Sequence, residues 1–194
     1  MDLLTHAITV PQPLAWAIAS GHCPIIPTDT RPDMGREGGL LGIHAALKRP
    51  PRGEVSRYGA MFVANDHATV FGALIGVARL VGVVRPRRWV PPGHMHELKF
   101  DMMRGRFATE PVPDDVCARI ASWWRLGTKW GLFIEPESAV LLSEPIPMRG
   151  SGGVWRLPGG RHYYVRDGCG DYAERDLTAA EWALEQWRKA TRNQ

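Results

Sequence analysis

Arg85-Pro86-Arg87-Arg88-Trp89 sets three guanidinium groups beside an indole. That combination suits single-stranded nucleic acid, because cations neutralise phosphates while an aromatic ring stacks on a base. A second basic run, Lys48-Arg49-Pro50-Pro51-Arg52, lies on the same segment. Residues 31–106 carry 13 basic against 6 acidic side chains, a surplus of 7, whereas 167–194 carry 4 against 6. Either run alone reads equally as a solvated loop; their coincidence on one segment is what points to a polyanion.

Proton-transfer and metal chemistry have fewer candidates. His22-Cys23 puts an imidazole next to a thiol, but sequence neighbours on one turn make a poor nucleophile and base, so His6 or His44 would have to approach from elsewhere. Asp29 and Glu144 are candidate carboxylates, and neither is adjacent to these groups. His94-x-His96-Glu97 offers ligand types without a fourth ligand at recognisable spacing. It reads as solvated, and no metal or cofactor is expected. Gly150-Ser151-Gly152-Gly153 lacks the following lysine and helix of a phosphate loop. Cys23, Cys117 and Cys169 are odd in number and widely spaced, which suggests reduced thiols rather than a disulfide framework or a zinc site.

These groups need a scaffold. Ile8-Thr9-Val10 reads as a short strand stopped by Pro11-Gln12-Pro13, and Leu14 to Ser20 as a short helix with Pro13 in its first turn and Gly21 as a left-handed cap. The loop from His22 to Arg31 carries Thr28, Asp29 and Arg31, and Ile25-Ile26 between prolines suits an edge strand. Leu40 to Ala45 reads as a buried strand that brings His44 to the sheet rim. Ala73 to Val84 is the longest strand candidate, and residues 85–113 read as a long irregular insertion.

Asp114 and Asp115 suit the start of a helix through about Arg125. Trp130 to Ile134 and Ala139 to Leu142 read as a hairpin joined by the turn Glu135 to Ser138. Met148 to Leu157 turns through its glycines into a last core strand carrying Trp155. His162 to Arg166 reads as a further strand. Thr178-Ala179-Ala180-Glu181 matches a capping box before a helix to about Ala190, with Ala183, Leu184 and Trp187 on the face that packs back.

Composition sets the class. The chain has 194 residues, 44% of them hydrophobic, and a net charge of +4, and 20 of its 24 basic residues are Arg. Such a chain is globular and long enough to bury a core; the Arg bias suits bidentate contacts with phosphate or reflects genome composition. No run approaches the roughly 18 apolar residues of a membrane span, and MDLLTHA lacks a signal-peptide pattern. A cytoplasmic monomer with no membrane association is expected.

The opening strand, Gln12-Pro13-x-x-Trp16, the small-residue helix and Ser20-Gly21 resemble the start of the ASCH domains, relatives of the PUA-like fold. Gly39 to Ala45, Gly72 to Ala78 and Pro145 to Leu157 are similar to the family's later landmarks, in order. The resemblance spans about Thr5 to Pro158. It implies an α+β fold: a PUA-like mixed β-barrel with flanking short helices and a C-terminal helix, as one domain over 1–158 with an extension over 159–194 packed on it. It also implies a cleft bordered by the loop after the first helix, by His44 and by the Arg149 turn.

Within that cleft each residue has two readings. Gln12 meets a base edge or caps backbone, Trp16 is a stacking platform or core, and His44 donates to a ligand or is satisfied internally. Thr28, Asp29 and Arg31 contact a ligand or form a solvated turn. Arg149, at a basic position of the family, pairs with a phosphate or braces Glu144. The family's loop, Gly-x-Lys-x-x-Glu-x-Arg, is not kept, since Cys23, Ile26 and Thr28 stand at its charged positions. Members that hydrolyse an acylated cytidine use a Lys and a Thr where this chain has Cys23 and Pro24, and proline supplies neither base nor nucleophile. The expectation is therefore a module that binds nucleic acid (RNA or single-stranded DNA) or a modified nucleotide through these residues and the two basic runs. A hydrolase, either a ribonuclease or a nucleoside amidohydrolase, and a protein-interaction domain using the Trp89 loop are the alternatives.

Overall fold

Aliphatic and β-branched runs form ten strands among the described residues, and small or amphipathic segments form three helices. The computed structural model describes residues 3–29, 39–48, 69–88, 90–91, 93–104, 108–125, 127–159, 163–166, 172–175 and 177–192, with the backbone alone at 104, 108, 163–166 and 172–175. In order these are β1 (Leu4–Val10), α1 (Leu14–Ala19), β2 (Ile25–Thr28), β3 (Leu40–Ala45), β4 (Ala73–Pro86), β5 (Phe100–Arg104) and β6 (Ala108–Pro111). Then follow α2 (Asp114–Trp123), β7 (Trp130–Pro147), β8 (Val154–Arg156), β9 (Tyr163–Arg166), β10 (Tyr172–Arg175) and α3 (Ala179–Thr191). Arg31, Arg49, Arg52 and Trp89 lie outside the described residues.

The architecture is mixed α+β, built on an eight-stranded sheet curled into a half-barrel. Its path runs β2-β7-β4-β3-β1-β8, with β5 on β4 and β6 on β5, and β9 pairs β10 separately. β1 and β3 are parallel and the other pairs antiparallel. The central strands β3 and β4 read as nearly continuous apolar runs because both faces of the sheet are covered. On one face Trp16 and Ile18 of α1 and Ile120 of α2 join Ile43, Ile75 and Ile134. On the other, Trp182, Ala183 and Trp187 of α3 join Leu40, Leu74, Val77 and Leu142.

Several local expectations hold. Gly21 takes a φ of +76° at the end of α1, β2 is a terminal strand of the sheet, and the capping box of α3 forms with both reciprocal bonds.

Others are corrected. The hairpin expected at 130–142 is one strand of 18 residues, β7, which is also longer than the 14-residue β4. Both of its halves pair with β4, and Val77 faces Val140 while Arg79 faces Glu135, so the Glu135–Ser138 stretch is a bulge rather than a reversal. The Ser138 hydroxyl replaces a ladder partner there, accepting from the Arg79 N–H at 2.8 Å and donating to Glu135 O at 2.7 Å. The supposed irregular insertion at 85–113 contains β5 and β6, and β5 extends the sheet along the end of β4. The strand carrying Trp155 has three residues at the sheet edge. The tail holds β10 as well as β9.

Candidate nucleic-acid interface

The half-barrel leaves its two terminal strands unpaired with each other, and a cavity of about 430 Å³ sits between them. β1 contributes Thr9 and Pro11 at its end, the α1–β2 segment contributes Pro27, Thr28 and Asp29, and Gly153 precedes β8. Three distant parts of the chain thus border one concavity, and of the borders expected for the cleft the loop after α1 is among them. Arg125 and Thr128, from the turn after α2, close the remaining side.

His44 and Arg149 do not line it. His44 is 1% exposed, so the rim position expected of it is corrected. Its Nε2–H donates to Met148 O at 3.0 Å, and its Nδ1 accepts from the Thr9 hydroxyl at 3.3 Å. Thr9 Oγ1 in turn accepts from Trp155 Nε1–H at 3.0 Å. Burial pushes the imidazole pKa down, with the bond to Met148 O acting in the opposite sense. Gly150 seals this site, since a Cβ there would lie 2.4 Å from the His44 ring. His44 is a satisfied internal histidine behind the cavity wall. Arg149 is exposed beside that seal, and among the described residues it makes no ion pair with Glu144.

Gln12 and Trp16 are structural too. Gln12 is buried; its Nε2–H donates to Val70 O at 2.8 Å and its Oε1 accepts from the Trp16 N–H at 3.1 Å, fixing the start of α1. Trp16 is packed in the core on the α1 face. The base-edge role for Gln12 and the stacking role for Trp16 are accordingly dropped, because neither group presents a free surface. Cys23 is fully buried, its Sγ–H donates to Ile25 O at 3.1 Å, and burial pushes its pKa up to about 12. A thiol held protonated in this way is no nucleophile.

A second concavity, of about 410 Å³, lies on the other side of Thr128, which lines both. Arg85, Arg87 and Arg88 at the end of β4 face Lys129 and Trp130 at the start of β7 across an apolar floor of Val90, Leu98 and Trp124. The ladder explains this meeting: Val84 pairs with Gly131, and Thr28 pairs with Trp130. Trp124 is fixed by Phe100, with ring centroids 4.8 Å apart. Arg87 Nε pairs with Asp101 at 2.6 Å. Arg85, Arg88 and Lys129 are exposed and have no ion pair among the described residues. Lys129, Trp124 and Trp130 were missed as site residues because they lie 36–45 positions from the Arg cluster in sequence; the signal was an aromatic and basic cluster at 123–130.

Of the first basic run only Lys48 is described, and it does not lie beside Arg85. Ala45 pairs with Ala73 at the start of β4, so Lys48 lies beyond that end while Arg85 lies at the other, roughly 30–40 Å away along the strand. His94 Nδ1–H donates to Glu97 at 2.7 Å, which holds that carboxyl below its usual range. Among the described residues, no three His, Cys, Asp or Glu side chains converge to hold a metal ion, and no helix is long and apolar enough to cross a membrane. In comparisons with known proteins, no family model matches the chain and no curated protein matches it.

Proposed function

We propose that the chain is a PUA-like module of the ASCH type that binds single-stranded nucleic acid through the groove between the ends of β4 and β7. The observation that carries this is the grouping of Arg85, Arg88 and Lys129, exposed and free of ion pairs among the described residues, around the apolar floor beside Trp124 and Trp130. Cations at the rim suit phosphates, and the floor suits the faces of bases. Arg87, braced by Asp101, gives the rim a fixed guanidinium that loses little freedom on binding. A hydrolytic reading has less support, because Cys23 and His44 are buried and internally bonded.

Fluorescence anisotropy with single-stranded RNA and DNA 10-mers tests the proposal. Log affinity should fall with log salt by about 0.7 per phosphate contacted, a slope near 2 for three contacts. Combined Arg85→Ala, Arg88→Ala and Lys129→Ala substitutions should remove most of that slope. Lys48→Ala, at the far end of β4, should leave it unchanged. Absence of any complex at low salt, or equal loss from Lys48→Ala, would overturn the groove assignment.

A further inference from the structure

The mouth of the half-barrel has a feature that the described lining of the groove lacks: a carboxylate, Asp29. Asp29 is exposed at the edge of that cavity and makes no ion pair or hydrogen bond among the described residues. A carboxylate beside a phosphate-binding groove repels the backbone of the strand it adjoins, so it is suited to the other part of a nucleotide, the base edge. The cavity is of a size to receive one, since small-ligand sites run to about 300–1,000 Å³ and this one is about 430 Å³. Its walls at Val10, Pro11, Leu14, Ile26 and Pro27 are apolar and suit a flat ring.

The chemistry of the carboxylate then selects among bases. An ionised carboxylate only accepts hydrogen bonds. Adenine and cytosine place a ring-nitrogen acceptor beside their amino donor, and uracil flanks its single N–H with two carbonyls. Each of these edges turns a lone pair toward the carboxylate. Guanine alone offers two adjacent donors, N1–H and the N2 amine, which match the two oxygens of one carboxylate. Its O6 next to them accepts from a hydroxyl, and Thr128 supplies one on the wall shared with the groove.

We propose that the cavity bordered by Asp29 is a guanine-selective base pocket, entered by a nucleotide of a strand whose phosphates lie in the adjoining groove. It rests on the nucleic-acid reading above, and its test separates the two. Uridine and thymidine 8-mers carrying one central guanine, inosine, adenine or cytosine are titrated against the wild-type protein and against Asp29→Asn. The guanine oligomer should bind about tenfold more tightly than the adenine or cytosine ones, the scale of one bidentate base contact. Inosine, which lacks the N2 amine, should lose part of that advantage, and Asp29→Asn should bring guanine down to the level of the others. Equal affinity for all four overturns the guanine pocket and leaves the groove standing. A guanine preference that survives Asp29→Asn overturns the role of Asp29. Failure of every oligomer to bind overturns both readings.

Discussion

His44 shows how a residue type that invites a chemical role is consumed by the fold. With Nε2–H given to Met148 O and Nδ1 taken by Thr9, the ring is bonded on both sides only as the neutral tautomer. Burial lowers its folded pKa from the ordinary value of 6.5, against the opposing effect of the bond to Met148 O. Between the folded value and about 6.5 the unfolded chain binds the extra proton, so stability rises with pH over that window. The contribution is complete above about pH 6.5 and is lost as the pH falls toward the folded pKa. Thermal melts at pH 7 and pH 5 should thus differ less for His44→Gln than for the wild type. An unchanged difference would mean that other groups carry the acid sensitivity.

At the scale of elements, α3 is secured by its own sequence and by what it packs upon. The Thr178 hydroxyl accepts from the Glu181 N–H at 3.2 Å, and Glu181 accepts from the Thr178 N–H at 2.8 Å. Thr178→Ala should cost about 1 kcal/mol, the usual worth of such a cap, read as a lower urea midpoint. The loss reaches the sheet because Trp187 Nε1–H donates to Ser138 O at 2.9 Å, in the bulge of β7. Gln186 bonds nearby, its Oε1 accepting from the Ser143 hydroxyl and the Glu144 N–H at 3.0 Å each. The helix thereby braces both stretches where β7 carries extra residues against β4, at 135–140 and at 141–146. Full retention of the urea midpoint in Thr178→Ala would show that this bracing, rather than the cap, holds the helix start.

Across the whole molecule, the approach of α1 to the sheet sets the width of the half-barrel. Gly76 of β4 lies under α1, where an added Cβ would come within 2.4 Å of Ala19 Cβ and 3.0 Å of Val140 O. Gly76→Ala must push the helix off the strands. It should destabilise by about 1–3 kcal/mol, the ordinary cost of overpacking a filled core. Denaturant unfolding should show a lower midpoint with an unchanged m value, because the surface exposed on unfolding stays similar. A neutral substitution would mean that α1 is free to shift, and the cavity that abuts Leu14 would then have no fixed width.

What the sequence determined by itself was local. The proline-flanked opening of α1, the left-handed Gly21, the terminal strand at Ile25-Ile26 and the capping box at Thr178 are set by nearest neighbours, and each forms in place. The α+β class and the apolar strands at 40–45 and 73–84 were legible from composition and pattern. Tertiary structure decided what depends on partners distant in the chain. The Glu-Pro-Glu-Ser stretch carries every local mark of a turn, yet β4 pairs with both of its flanks, and a serine hydroxyl stands in for the missing ladder bond. The antiparallel run of β3 beside β4 sent Lys48 and Arg85 to opposite ends of one strand. The same ladders brought Lys129 and Trp130 to Arg85, and Asp29 to their side. Charge patterning along a chain gives no information about which strand ends will meet, because register is fixed by the packing of both sheet faces.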